Sequence, residues 1–268
     1  MVDWFIGTMG FAYKDWKQVF YPAEMDVSNY LAYYSRIFNC VEIDSTFYGT
    51  PRLEAVQHWL AITPPDFKFC LKVPRTITHD LRLVGAEGLL DEFLERVRRL
   101  EHKLGAILFQ FPPSFHRDRL PLLESLAANL PHDLQFAVEI RDPSWYTPGE
   151  ASAEPALASM LRSYKVAWAM TEFPGLPVTI YQTAGYWYLR WIGQHGSYEH
   201  HDQERVDCTP NLRRWKEIIQ ERLDQVGTIY GFFNNDYAGF AAGTANRFKA
   251  LMGLPVKAFT PPRQGTLF

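Results

Sequence analysis

Apolar runs that stop on a charge or an amide recur along the chain. Gly231-Phe232-Phe233 breaks off at Asn234-Asn235-Asp236, and Val41-Glu42-Ile43-Asp44, Phe69-Cys70-Leu71-Lys72, Ile107-Leu108-Phe109-Gln110 and Val138-Glu139-Ile140-Arg141 follow the same plan. Short runs rich in branched and aromatic residues predict strands at 4–7, 40–43, 67–72, 106–110, 135–140, 166–170, 186–191 and 228–233. Apolar residues at helical spacing predict helices at 28–38, 53–62, 89–100, 120–130, 156–164, 212–223 and 241–252. Ser28 is the expected N-cap of the first helix, and Pro210 stands just ahead of the sixth.

Strands alternating with helices imply a parallel sheet in an α/β fold. With strands this apolar and a chain of 268 residues, the expected solution is a single (β/α)8 TIM-type barrel with long aromatic-rich βα loops. The barrel is expected over residues 1–260 and an extended tail over 261–268. An open doubly wound sheet would want a glycine-rich phosphate turn after the first strand. Gly7-Thr8-Met9-Gly10, with Tyr13 beyond it, is a faint echo of that turn. In a barrel the polar strand ends gather at one rim, where function is expected.

Composition narrows the setting. At 47% hydrophobic and 21% charged residues the chain can bury one large core, and a net charge of −3 gives no global argument for nucleic-acid binding. Cys40, Cys70 and Cys208 form no Cys-x-x-Cys and are read as buried thiols of a reducing compartment rather than zinc ligands. Met1-Val2-Asp3-Trp4 has neither the basic nor the apolar region of a secretory signal. No apolar run is long enough to span a bilayer, so a cytoplasmic protein without a membrane partner is expected.

Side chains two apart share a strand face, which pairs Glu139 with Arg141 and Glu42 with Asp44. In an eight-strand ring the second and fifth strands approach from nearly opposed walls. Glu42 and Glu139 are therefore expected to flank a ligand as an acid–base pair, with Asp236 as a third candidate carboxylate. Lys72, Arg141 and Arg190 supply cations to hold an anion, while Gln110, Asn234 and Asn235 supply amides to orient it. The structural counterpart is that Glu42, Lys72, Glu139, Arg141 and Arg190 only neutralise one another.

His79 falls in the loop over the third strand's end and is a further candidate ligand contact, able to titrate or bind a metal near neutral pH. Tyr48, Trp145 and Tyr237 are the rings expected against a ligand, whereas Phe11, Trp16 and Phe47 are expected to pack the loops. Asn235, Asp236 and the backbone near Gly239 stand where barrels often form a phosphate cup, although a carboxylate there competes with phosphate and also suits a helix cap. The sequence demands no cofactor. Histidines lack ligand spacing, and a carboxylate-held Mg or Mn ion is the one metal option left open.

Several of these motifs in order resemble the YecE-like proteins, domain of unknown function seventy-two. The resemblance runs over about residues 5–251. It is carried by Gly7 to Trp16, Val41 to Tyr48, Lys72 with Thr78-His79, Phe109-Gln110-Phe111-Pro112-Pro113, Glu139 with Arg141 and Ser144-Trp145, and Phe233 to Asp236 with Gly239. It implies a TIM-type barrel and leaves the activity unassigned. The chain departs from the pattern at Met9-Gly10-Phe11, at Asp44, and at Trp191-Ile192-Gly193 where a His-Gly is usual.

The tail, Gln264-Gly265-Thr266-Leu267-Phe268, looks like the short peptide by which bacterial replication and repair proteins dock on the sliding clamp. Gln264 would supply the amide and Leu267 with Phe268 the apolar anchors, with Gly265 replacing the usual leucine. Two functions follow as expectations. One is acid–base or hydrolytic chemistry on a small phosphorylated or carbohydrate-like anion. The other is a nucleic-acid-associated factor in DNA repair or processing, tethered to the clamp by its tail.

Overall fold

In the computed structural model, which describes residues 2–146, 155–178 and 180–259, the first strand is β1 (Asp3–Thr8). It is followed by β2 (Cys40–Ile43), β3 (Lys68–Lys72), β4 (Leu104–Phe111) and β5 (Phe136–Ile140). Then come β6 (Ala167–Trp168), β7 (Met170–Glu172), β8 (Tyr186–Trp191) and β9 (Thr228–Phe233). All pair in parallel, in one sheet of order β1-β9-β8-β7 and a second of order β2-β3-β4-β5-β6. Every residue of β2 and β5 is buried, as two-sided packing requires of such apolar runs.

The strand expected at 166–170 is broken in two. β6 pairs with β5 and β7 with β8, and Ala169 between them gives its N–H to the Val138 carbonyl at 2.9 Å. Between β1 and β2 the link is an isolated bridge from Met9 to Glu42, with Gly10 N donating to the Glu42 carbonyl at 2.8 Å.

The helices α1 (Tyr30–Ile37), α2 (Leu53–Ile62), α3 (Glu87–Val97), α4 (Leu120–Asn129), α5 (Ala156–Ser163), α6 (Thr209–Gln220), α7 (Asn235–Ala238) and α8 (Ala241–Leu251) complete the alternation. Ser28 is not the cap of α1. Asp26 instead accepts the N–H and hydroxyl of Ser28 at 2.8 and 2.6 Å and opens a 3-10 turn that runs into the helix. Pro210 sits inside the first turn of α6, where a missing N–H leaves no helix bond unmade. α7 is too short to show in the apolar pattern: Asn234 caps it by accepting the Asp236 N–H at 2.8 Å, and left-handed Gly239 ends it.

Apolar side chains form two clusters. The larger, with Trp16, Phe69, Phe109, Trp191 and Phe248, fills the space between strands and helices. The smaller draws Cys40, Cys70, Leu108, Ala137, Tyr188 and Phe232 from both sheets. Cys208 joins the first cluster, and the three cysteines are free and buried. No described helix is long and apolar enough to cross a membrane. Gln264, Leu267 and Phe268 lie outside the described residues.

Candidate functional site

The carboxyl ends of β2, β5 and β8 bring Glu42, Glu139 and Arg190 together in the interior, each almost wholly buried. Arg190 donates Nε and Nη2 to the two oxygens of Glu42 at 3.0 and 2.7 Å, while its Nη1 reaches Glu139. Tyr188, two residues back on the same strand face, adds its hydroxyl to Glu42 at 2.7 Å. Arg141 Nε donates to Glu139 at 2.8 Å, and the Thr171 hydroxyl adds a bond at 3.2 Å. Every carboxylate oxygen thus carries a donor, as buried charge requires.

The electrostatics follow from this wiring. Burial alone would raise the Glu139 carboxyl, but Arg190 and Arg141 outweigh it and hold it down to about 2. Burial opposes the charge on Arg190, yet Glu139 and Glu42 push its pKa up. Both groups are therefore locked in their charged forms at neutral pH. Arg190, expected to hold a ligand, has its guanidinium occupied by protein partners.

Lys72 differs. It lies at the end of β3, 9% exposed, with Nζ 3.8 Å from the centre of the Phe47 ring. Its ammonium makes no hydrogen bond or salt bridge among the described residues. Burial, reinforced by the Arg190 charge, pushes Lys72 down to about 8. Beside it, burial and then the charges of Lys72 and Arg141 push His79 down to about 4, and Thr78 Oγ1 lies 2.8 Å from its Nδ1. Arg141 stacks over Phe173 at 4.6 Å and has only its Nε bonded among the described residues.

Asp44 follows β2 as Lys72 ends β3. The two are neighbours because Ile43 pairs with Leu71, and Thr46 Oγ1 ties the strand ends by lying 2.8 Å from the Ile43 carbonyl and 2.6 Å from that of Lys72. Burial and the Glu42 charge raise the Asp44 carboxyl against the pull of Lys72 and Arg190. No other described residue donates a hydrogen bond to its carboxylate.

The remaining expected residues divide. Gln110 is buried and gives its amide N–H to the Phe111 carbonyl at 2.7 Å. Trp145, expected against a ligand, is instead buried against Phe115, with Nε1 donating to the Phe115 carbonyl at 2.6 Å. Tyr48 stands 86% exposed at the rim, and Tyr237 donates its hydroxyl to Glu172 at 3.0 Å. Phe47, expected only to pack, is the ring under Lys72.

Asn234 is the cap of α7. Asn235 Oδ1 accepts both the Trp16 indole N–H at 3.2 Å and the Ala241 N–H at 3.0 Å, so it caps α8. Where a phosphate cup is expected, the Asp236 and Tyr237 N–H groups donate to the Asn234 side chain and carbonyl at 2.8 and 3.2 Å, and the Gly239 N–H donates to the Asn235 carbonyl at 2.7 Å. Asp236 meets two histidines that spacing did not reveal, His195 Nδ1 at 3.1 Å and His201 Nε2 at 3.3 Å. No cluster of three or more His, Cys, Asp or Glu among the described residues is placed to hold a metal ion. A cavity of about 410 Å³ near Trp4, Asn39, Phe67 and Lys249 lies away from these strand ends.

Fold and site together define a parallel α/β protein with a buried carboxylate–guanidinium cluster and, at its strand ends, a lysine whose ammonium has no hydrogen bond among the described residues. The chain belongs to the family described as Protein of unknown function DUF72, which it matches over residues 5–266. It is 32% identical to the UPF0759 protein YecE of Escherichia coli K12 over 178 residues, covering 60% of this chain. That match spans 65% of the length of YecE. UPF0759 protein YunF of Bacillus subtilis 168 is 24% identical, with 98% of this chain and 99% of YunF covered. A crystal structure of a DUF72 family protein from Thermotoga maritima superposes with a TM-score of 0.77 at 30% identity, over 94% of this chain and 99% of that one. Another from Enterococcus faecalis V583 gives 0.75 at 22% identity, over 95% and 99%, and shares the fold.

Proposed function

We propose that the chain is a closed (β/α)8 barrel of the TIM type that binds and processes a small anionic ligand, phosphorylated or carbohydrate-like, at the carboxyl ends of its strands. Support for closure comes from both seams between the sheets: the Met9–Glu42 bridge joins β1 to β2, and the chain passes through Ala169 from β6 into β7. The smaller apolar cluster, drawn from both sheets, is then the barrel interior. In barrels of this kind the strand carboxyl ends carry the chemistry.

One observation carries the ligand class. Lys72 is buried and charged over most of the physiological range, its Nζ has no hydrogen bond among the described residues, and it lies within electrostatic reach of Arg141, whose Nη atoms are equally unengaged there. A buried ammonium is costly until an anion meets it. Glu42 and Glu139 serve in this account to fix Arg190 and aim Arg141. Glu139, at about 2, has no proton to give at neutral pH, whereas burial and the Glu42 charge raise the Asp44 carboxyl, so this account assigns the acid role to Asp44 rather than to Glu139.

The test is a melting-temperature panel with inorganic phosphate, glycerol 3-phosphate and ribose 5-phosphate on the wild type and Arg141→Gln. A ligand at about 100 times its Kd should add roughly 5 °C to the wild type and little to the variant. A wild type indifferent to every anion would remove the proposal.

A further inference from the structure

We propose that Lys72 is a nucleophile, forming an imine with the carbonyl carbon of a phosphorylated aldehyde whose phosphate is held by Arg141. The imine rests on the anion site proposed above and adds a covalent step to it. A lysine kept only for packing finds acceptors, as buried Lys103 does by donating Nζ to the carbonyls of Leu60 and Thr63 at 2.7 and 2.6 Å. Lys72 has none. The carboxylate oxygens nearest in charge, on Glu42 and Glu139, already carry Arg190, Arg141, Tyr188 and Thr171.

The surroundings are those that make an amine reactive. The Phe47 ring walls one side, and burial together with the charges of Arg190 and Arg141 disfavours the ammonium against the pull of Glu139 and Glu42, as in lysines activated by desolvation and neighbouring cations. With its pKa at about 8, roughly a quarter of Lys72 is free amine at pH 7.5. The nitrogen lone pair adds to the carbonyl carbon, the C=O pair moves to oxygen, and the proton shed by the new ammonium nitrogen passes to that oxygen, which leaves a neutral carbinolamine with its nitrogen lone pair restored. Asp44, next to Lys72 in the register of β2 and β3, then gives a proton to that hydroxyl. Water then leaves as the nitrogen lone pair forms C=N.

Wild-type protein incubated with glyceraldehyde 3-phosphate and sodium cyanoborohydride should gain the aldehyde's mass less one oxygen, since hydride adds to the imine carbon. Peptide mapping should place the adduct on Lys72 roughly tenfold or more faster than on exposed Lys14 or on Lys249 of α8. Inorganic phosphate should suppress it, and unphosphorylated glyceraldehyde should react more slowly. Lys72→Arg should lose that adduct and still gain melting temperature from phosphate. If phosphate stabilises the wild type but Lys72 labels no faster than Lys14, the imine falls and the anion site stands; if neither occurs, both fall.

Discussion

Arg190 holds Glu42 through two parallel bonds, Nε at 3.0 Å and Nη2 at 2.7 Å, and the two residues sit on strands of different sheets. With Nη1 on Glu139 of β5, one guanidinium joins three strands that are far apart in the chain. The planar fork explains why an arginine stands here. A lysine has no bidentate geometry and could not serve both carboxylates alike.

Removing that fork strands two buried carboxylates. Arg190→Met is expected to cost about 3–5 kcal/mol in urea unfolding, the usual penalty for breaking a buried pair from one side. Arg190→Lys should recover part of it. A loss below about 1 kcal/mol in the methionine variant would mean that water reaches the carboxylates and that the cluster is not dry.

Glu139 makes stability depend on acid. Its folded pKa, about 2, lies below the ordinary 4.5, so the folded state favours the ionised form. The contribution is complete above pH 4.5 and is lost as pH falls toward 2. By linkage it is worth about 3 kcal/mol. Unfolding free energy measured from pH 5 to pH 2 should fall by that order in the wild type. In Glu139→Gln the same window should be flatter, and an unchanged slope would place the titration elsewhere.

The sequence disclosed the polar ends of β2, β3 and β5 because alternation on a strand is local: an apolar run with a charge at every second position can face only one way. Tyr188 was legible by the same rule, two residues before Arg190. Pairing was not legible. Arg190 meets Glu42 across 148 residues, and nothing near either residue specifies which cation it takes. Loop aromatics were misjudged in the same way, since Phe47 and Trp145 are alike as sequence and depth alone decides that one lies under Lys72 and the other in a core. Asp236 gains His195 and His201 only through the path of the loop after β8. The break at Ala169 depends on which neighbouring strand each half meets.

Lys72 weakens the fold it sits in. Its folded pKa, about 8, is below the ordinary 10.5, so folding costs energy while the amine is charged in the unfolded chain. The penalty is full below pH 8 and is relieved as pH rises toward 10.5. Lys72→Met should therefore stabilise by about 2 kcal/mol at pH 7, with the gain shrinking across that window. Chemical denaturation at pH 7 and pH 10 checks both sign and trend. A destabilised variant would show that the ammonium has a stabilising partner.

Gly193 and Gly196 separate two costs that are usually confounded. Both adopt left-handed backbone, with φ of 74° and 75°, in the loop that follows β8. Around Gly196 there is open space, so Gly196→Ala should lose only the left-handed penalty, about 1 kcal/mol. At Gly193 an added Cβ would overlap the Asp236 carbonyl and stand 2.7 Å from the Tyr237 Cα, both backbone groups of α7. That helix turn cannot yield cheaply, because Asn234 caps it and its last carbonyl, Ala238, receives the Arg205 N–H at 2.6 Å. Gly193→Ala should thus cost about 3 kcal/mol or more, the excess over Gly196→Ala measuring how rigidly α7 is seated. Equal losses in the two variants would mean that α7 moves aside freely, and Asp236 would then have no fixed position from which to hold His195 and His201.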